Sequence, residues 1–396
     1  MKTIYFVMEV PFDTRDYQRF GIEYIQSQGF SVQVWDLSFL VSPERHLKAE
    51  AEGTIHKFPG YVAKKNAAET CNELARLTTN DVVINMIGYR PEGLRYCRAL
   101  SKSKAFLVSL TLGQIPNMVP DGVVFGPKRT LSYYAKKILE KLTDFTDLKL
   151  KLFYKIPPAG LGIRPSDMRF VAGDAVNSQL GGTKVARTVS YDYDSYLTEL
   201  KRKPRDDSGY ILYLDENLPF HPDARHMGIE QFCKAEDLYP RLQKTFNFLE
   251  KETGKKVVIA AHPRSHYGDD AGKFFQNRQV EKNATCALVR NCSFILAHAS
   301  TSVSFAVLFQ KPIIFLTSDT FSVHQKYITE AMARTFEKKP VSMDSEMPQI
   351  NLQKEQTIDE RSYKKYKNLY LKSEETKEEL IWKTFCKVIL DRKTFS

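Results

Sequence analysis

The sequence predicts an α/β protein built from two consecutive domains, each around a largely parallel sheet. Three observations carry this expectation. Through residues 1–113 the hydrophobic period switches repeatedly between 2 and 3.6, as it does when strands alternate with helices. Over 156–207 that alternation gives way to Pro, Gly and charge, and it restarts at Tyr210. Late in the second series, residues 290–319 read RNCSFILAHASTSVSFAVLFQKPIIFLTSD, a strand–turn–helix–strand unit with small hydroxyl residues at the helix entry.

In order, strands are expected at Thr3–Val7, Ser31–Trp35, Asp81–Ile87 and Ala105–Leu110, with helices at Tyr17–Ser27, Lys64–Leu77 and Glu92–Leu100. Such a sheet binds ligands at the carboxyl ends of its strands, here Glu9, Asp36, Gly88 and the Thr111–Gly113 turn. No G-x-G-x-x-G follows the first strand, so a dinucleotide site of that type is not supported. Met168–Val171 and Lys184–Val189 read as strands, Tyr193–Leu200 as a short helix, and the domain junction falls at about 195–208. The second series runs Tyr210–Leu214 (strand), Pro240–Thr253 (helix), Lys256–Ala260 (strand), Thr285–Arg290 (helix), Ser293–Ala297 (strand), Val303–Phe309 (helix) and Ile313–Leu316 (strand). Arg361–Arg392 reads as one long charged helix with Trp382, Phe385 and Ile389 on a single face.

Composition narrows the classes. The 396 residues suffice for about two domains, and 42% hydrophobic with 27% charged residues is ordinary for a globular chain. No run reaches the ~18 apolar residues of a membrane span. The N-terminus lacks a secretion signal, and six scattered cysteines without a C-x-x-C pair suit reduced thiols and a cytoplasmic protein. The net charge of +11 is concentrated in part over 128–155, where eight Lys and Arg alternate with Leu, Ile, Tyr and Phe. A solvated helix face explains such a stretch. An anionic membrane surface does as well, which would make the protein peripheral on the inner face of the membrane. Nucleic acid is not expected, because no ribonucleoprotein motif, zinc knuckle or helix-turn-helix pattern is present.

Three polar clusters in the second half each follow an apolar strand, so they should meet at one sheet edge. They are Asp215-Glu216-Asn217 with His221 beyond it, His262-Pro263-Arg264, and His298-Ala299-Ser300-Thr301-Ser302. Carboxylates can take a proton from a hydroxyl. Imidazole, guanidinium and helix-entry hydroxyls can hold a phosphate. Ser318, ending the last strand, could reach a ribose or base. Glu9, Asp13 and Arg15 in the first half, and Asp192 and Asp194 at the junction, are placed where a cleft would open. Each piece also has a purely structural reading: a polar turn, a strand terminator, an N-cap. A metal reading exists too, since His221, Asp223, His226, His262, His266 and His298 include good ligands. Their spacing matches no helical H-x-x-x-H pattern, and Pro222 and Pro263 argue for loops, so neither metal nor cofactor is expected.

Over residues 208–320 the acidic motif, the later His-Pro and the Ser/Thr cluster resemble the bacterial sialyltransferases of GT-B architecture, and their relatives in capsule and lipopolysaccharide synthesis. The resemblance implies two Rossmann-like domains around a central cleft. An N-terminal acceptor-side domain would span 1–200 and a donor domain 208–360, with a C-terminal helix over 361–396 packing back across them. It further implies a metal-independent, inverting glycosyltransferase that uses a CMP-activated acidic sugar and a glycan or lipid-linked glycan acceptor. Asp215 or Glu216 would be the base, with Asp215 preferred. His262, with Pro263, Arg264 and His298 beside it, would meet the phosphate, which the Ser300–Ser302 hydroxyls would hold. The family's acidic motif normally continues into Gly where this chain has Asn217. Rivals on the same scaffold are a UDP-sugar transferase, a polyol-phosphate transferase, and a non-catalytic nucleotide- or carbohydrate-binding protein.

Overall fold

The computed structural model describes residues 2–391 apart from 117, 119–149, 151, 176–182, 207–208, 222–230, 264, 266, 268–270, 347 and 349. Most of the basic 128–155 stretch therefore lies outside the described residues, as do Arg264, Asp223, His226 and His266. No helix among the described residues is long and apolar enough to cross a membrane.

The first sheet contains β1 (Thr3–Met8), β2 (Ser31–Asp36), β3 (Tyr61–Ala63), β4 (Asp81–Met86), β5 (Phe106–Thr111), β6 (Met168–Ala172) and β7 (Lys184–Thr188). Its order is β3-β2-β1-β4-β5-β6-β7, with every pairing parallel. The second contains β8 (Ile211–Leu214), β9 (Val257–Ala261), β10 (Val280–Lys282), β11 (Phe294–Ala297), β12 (Ile313–Thr317) and β13 (Val341–Ser342). Its order, β10-β9-β8-β11-β12-β13, is again wholly parallel. Helices cover both faces of a parallel sheet, so its central strands must be apolar throughout. Accordingly every residue of β8, β9 and β11 is buried.

In each sheet the strand order reverses once, between β1 and β4 and between β8 and β11. A crevice opens at such a switch point, beyond the carboxyl ends of the strands. These are the two Rossmann-like domains of the GT-B outline. The sheets part between β7 and β8, and the helix Tyr191–Leu200 joins them. Arg290 of the second domain donates to the carbonyls of Glu199 and Arg202 there.

The expected helix over 17–27 is two short ones, Thr14–Arg19 and Ile22–Ser27, parted at Gly21. Gly21 has φ +54°, and a Cβ there would lie 2.3 Å from Cδ1 of Trp382. The expected single helix over 361–392 is also divided. Glu360–Tyr366 is helical, Lys367–Leu371 widens into a π-turn, and a second helix runs from Ile381 to Leu390. The widened turn docks on the first domain, where Ser190 N–H donates to Leu371 O at 2.8 Å and Ala175 N–H to Leu369 O at 2.9 Å. The last helix completes the first domain's core. Trp382 packs 5.5 Å from Phe6 and donates through Nε1 to Arg19 O at 2.7 Å, while Phe385 sits 5.2 Å from Phe170. Asp194 caps this helix by accepting from Ile381 N at 2.6 Å.

Trp382→Ala should therefore destabilise the chain by about 3–5 kcal/mol, the usual cost of truncating a buried Trp. Trp382→Phe should recover part of that loss. Denaturant unfolding checks both, and a near wild-type midpoint for Trp382→Ala would show that the last helix is not integral to the first domain.

Candidate functional site

The three clusters do converge. A cavity of about 330 Å³ opens at the β8/β11 switch point, and its lining includes Asp215, His221, His262, Pro263, Ser300, Thr301 and Ser302. Arg15 of the first domain closes it from the opposite side, so the cavity lies in the cleft between the domains. Its size is within the ~300–1,000 Å³ range of small-ligand sites.

Asp215 leaves β8 with only 5% exposure, and both carboxylate oxygens are engaged. Oδ1 accepts from Asn217 N at 3.1 Å, and Oδ2 accepts from His262 N at 3.4 Å and from the Tyr267 hydroxyl. Burial pushes its pKa up, and these three donors pull the other way by favouring the anion. Glu216, adjacent and partly buried, turns to the other neighbouring strand. Its Oε1 accepts from His298 N at 3.0 Å and from Ala299 N at 2.8 Å. Burial raises its carboxyl to about 8 despite those donors. Asp215 lines the cavity, whereas Glu216 braces the turn that follows β11.

That brace changes the expected phosphate seat. The helix at Val303–Leu308 is short, and the amides of His298 and Ala299 are already taken by Glu216. The cavity is offered mainly the hydroxyls of Ser300, Thr301 and Ser302. Ser300 Oγ also accepts from Ser302 N at 3.3 Å, which sets the turn.

Several expected site residues do not line the cavity. His298 is fully buried; Nδ1 donates to Leu316 O at 2.7 Å and Nε2 accepts from the Tyr213 hydroxyl at 3.0 Å. Burial lowers its pKa to about 4, so it is a neutral strut and not a phosphate ligand. Ser318 is buried and donates to Asp344 Oδ1 at 2.7 Å, holding β12 to the end of β13. Asp13 caps the helix Thr14–Arg19 by accepting from Asp16 N at 2.8 Å. Asp194 is the cap described above. Glu9, at the first domain's own switch point, accepts from Gly88 N at 2.9 Å and pairs with Arg90 at 2.8 Å. Asp192 lies at the domain interface beside Ser304, Arg19 and Arg15, and burial raises its pKa.

Sequence reasoning missed Thr285, which lines the cavity, and Tyr267, which holds Asp215. Tyr267 follows Pro263 by four residues in the same loop, and that proximity was the available signal. Among the described residues no group of three His, Cys, Asp or Glu side chains is arranged to hold a metal ion. The rings of His221 and His262 stand 5.2 Å apart on the cavity wall.

No protein-family model matches the chain, and no curated protein matches its sequence. Solved structures resemble it over most of its length at low identity. MnaA of S. aureus, in a co-structure with UDP, is 12% identical at a TM-score of 0.46, over 100% of this chain and 96% of that one. CalG4, the calicheamicin glycosyltransferase, is 12% identical at 0.47, over 92% and 93%. MurG of Acinetobacter baumannii is 11% identical at 0.42, over 93% and 96%. Likenesses this distant carry no argument about chemistry, and the fold assignment rests on the two sheet orders.

The brace predicts a pattern at position 216. A neutral amide can accept the same two N–H groups, so Glu216→Gln should keep nucleotide affinity within ~3-fold of wild type. Glu216→Ala leaves both amides without their partner and should weaken it by at least ~10-fold. Calorimetric titration with UDP and CMP checks this, and an unchanged affinity in Glu216→Ala would end the bracing role.

Proposed function

We propose that this chain is a nucleotide-sugar-dependent glycosyltransferase of GT-B architecture. The observation that carries the reading is the gathering of a buried carboxylate, two imidazoles, four hydroxyls and one guanidinium around a single interdomain cavity. In this reading the acceptor hydroxyl attacks the anomeric carbon of the donor sugar and gives its proton to Asp215. The bond to the nucleotide breaks with its electron pair going to the phosphate oxygen. Arg15, His262 and the Ser300–Ser302 hydroxyls stabilise that charge. Tyr267 and the amides of Asn217 and His262 fix the carboxylate, and Glu216 fixes the hydroxyl-bearing turn.

The cations bear on the nature of the donor. A CMP-linked acidic sugar carries a carboxylate on its anomeric carbon and asks for a second cation next to His262-Pro263. Lys311, one candidate, begins the other end of β12, where its carbonyl accepts from the Tyr363 hydroxyl at 2.7 Å. Arg264, the other, is outside the described residues. Among the described lining residues Arg15 is the one permanent cation. Both donors carry two negative charges, but in a diphosphate they are adjacent and can share one guanidinium and a row of hydroxyls, so a UDP-type donor is the reading we take over the CMP-linked one.

Two measurements test this. UDP should raise the melting temperature more than CMP at equal concentration, by ligand linkage. Equal or greater stabilisation by CMP would return the assignment to the acidic sugar, and no stabilisation by either would remove the nucleotide site. Asp215→Asn should lower turnover by at least ~10²-fold without weakening UDP binding, because a base acts on the acceptor and its charge opposes the donor phosphate. Wild-type turnover in that variant would take the base role away from Asp215, and nucleotide binding without any transfer would favour a non-catalytic protein.

A further inference from the structure

A second cavity, of about 600 Å³, lies along the outer side of residues 359–370, between them and the end of the helix Val323–Thr335. It reaches Pro116, beyond β5 of the first domain, and so it too bridges the domains. Its walls carry Arg334, Arg361 and Lys365 against two carboxylates, Glu337 and Asp359. Asp359 is committed to capping its own helix, accepting from Ser362 N at 2.9 Å. Arg334 is held loosely by Glu330 at 3.5 Å on an exposed helix face. Arg361 and Lys365 are exposed and make no ion pair among the described residues. At the inner surface the half-buried Tyr370 ring lies 5.1 Å from that of Tyr366, which is buried behind it.

This cavity is joined to the first by a short relay. Thr301 lines the nucleotide-side cavity, and its carbonyl accepts from Ser304 Oγ at 2.9 Å. Ser304 Oγ also bonds the Tyr366 hydroxyl at 3.2 Å, and Tyr366 lines the second cavity. A tyrosine ring at the surface, such as that of Tyr370, suits a sugar ring, while guanidinium and ammonium groups suit carboxylate, sulfate or phosphate substituents. A cavity nearly twice the volume of the first has room for more than one residue of a chain.

We propose that this cavity is a binding site for an anionic oligosaccharide, a stretch of the acceptor chain held beside the transfer site. The role as acceptor rests on the transferase reading, but the binding does not. Arg361 and Lys365 grip the acidic substituents, and the half-buried Tyr370 supports a sugar ring, with Tyr366 buried behind it.

The test is calorimetric titration of the full chain with a heparin-derived tetrasaccharide and with maltotetraose, its neutral counterpart. The charged tetrasaccharide should bind, and Arg361→Ala/Lys365→Ala should weaken it at least ~10-fold. Lys364→Ala/Lys367→Ala, on the same segment but off the cavity wall, should change it less than ~2-fold. UDP affinity should stay the same in both double variants. The proposal fails if the two double variants lose binding equally, which would mean diffuse charge attraction. It also fails if maltotetraose binds as tightly, or if the chain binds phosphatidylglycerol vesicles and not the tetrasaccharide. Tetrasaccharide binding with no nucleotide binding would sink the transferase reading and leave this site standing.

Discussion

The site depends on two adjacent carboxylates at the end of β8. Because β8 lies between β9 and β11, residues leaving it can reach the loops on both sides. Asp215 takes donors from the His262–Tyr267 loop after β9, and Glu216 takes the amides after β11. Neighbouring residues on an extended chain point in opposite directions, so the two side chains can do this without competing. The cavity is the space these two braces hold open. Burying two carboxylates is costly, and the cost appears as raised pKa values on both.

The sequence revealed those parts of the fold that burial makes apolar. β8, β9, β11 and β12 were legible to within a residue or so because they are covered on both faces. The edge strands β3, β10 and β13 were missed because they are only two or three residues long and none of their residues is buried. The helix Val323–Thr335 was missed because Gln325 and Thr329, polar in sequence, are buried in it. The break between 371 and 381 was hidden because Trp382, Phe385 and Ile389 keep helical spacing, which does not reveal where the helix begins. In the site, the three motifs were visible as polar clusters after apolar strands. Which histidine faces the cavity was not. His262 and His298 stand in similar contexts, and what separates them is the carbonyl of Leu316, supplied by a neighbouring strand. Ser318 was misplaced for the same reason, since its partner Asp344 is 26 residues away.

The chain's end reaches the site through the first domain. Arg15 sits on the helix Thr14–Arg19, whose last carbonyl is held by the Trp382 indole. The Arg19 guanidinium lies 3.6 Å from the centre of the Tyr191 ring, which opens the helix linking the domains. Gly21 allows the approach, since any side chain there would meet the indole. The cation that closes the cavity from the first domain is thus positioned by residues from the start, middle and end of the chain. Packing of the last helix and the electrostatics of the cleft are parts of one arrangement.

The same arrangement bears on how a base could work beside a phosphate. A carboxylate at the surface has a pKa near 4 and holds a proton poorly at neutral pH. Burial has already moved Asp215 upward. In the proposed reaction a nucleotide phosphate entering the cavity adds a second negative charge nearby, which raises the carboxylate's proton affinity further. Arg15 and the hydroxyls limit that repulsion enough for the donor to bind. The base would therefore be strongest while the donor is in place. Its affinity for the proton would fall again when the nucleotide leaves, so that departure of the product also releases the proton taken from the acceptor.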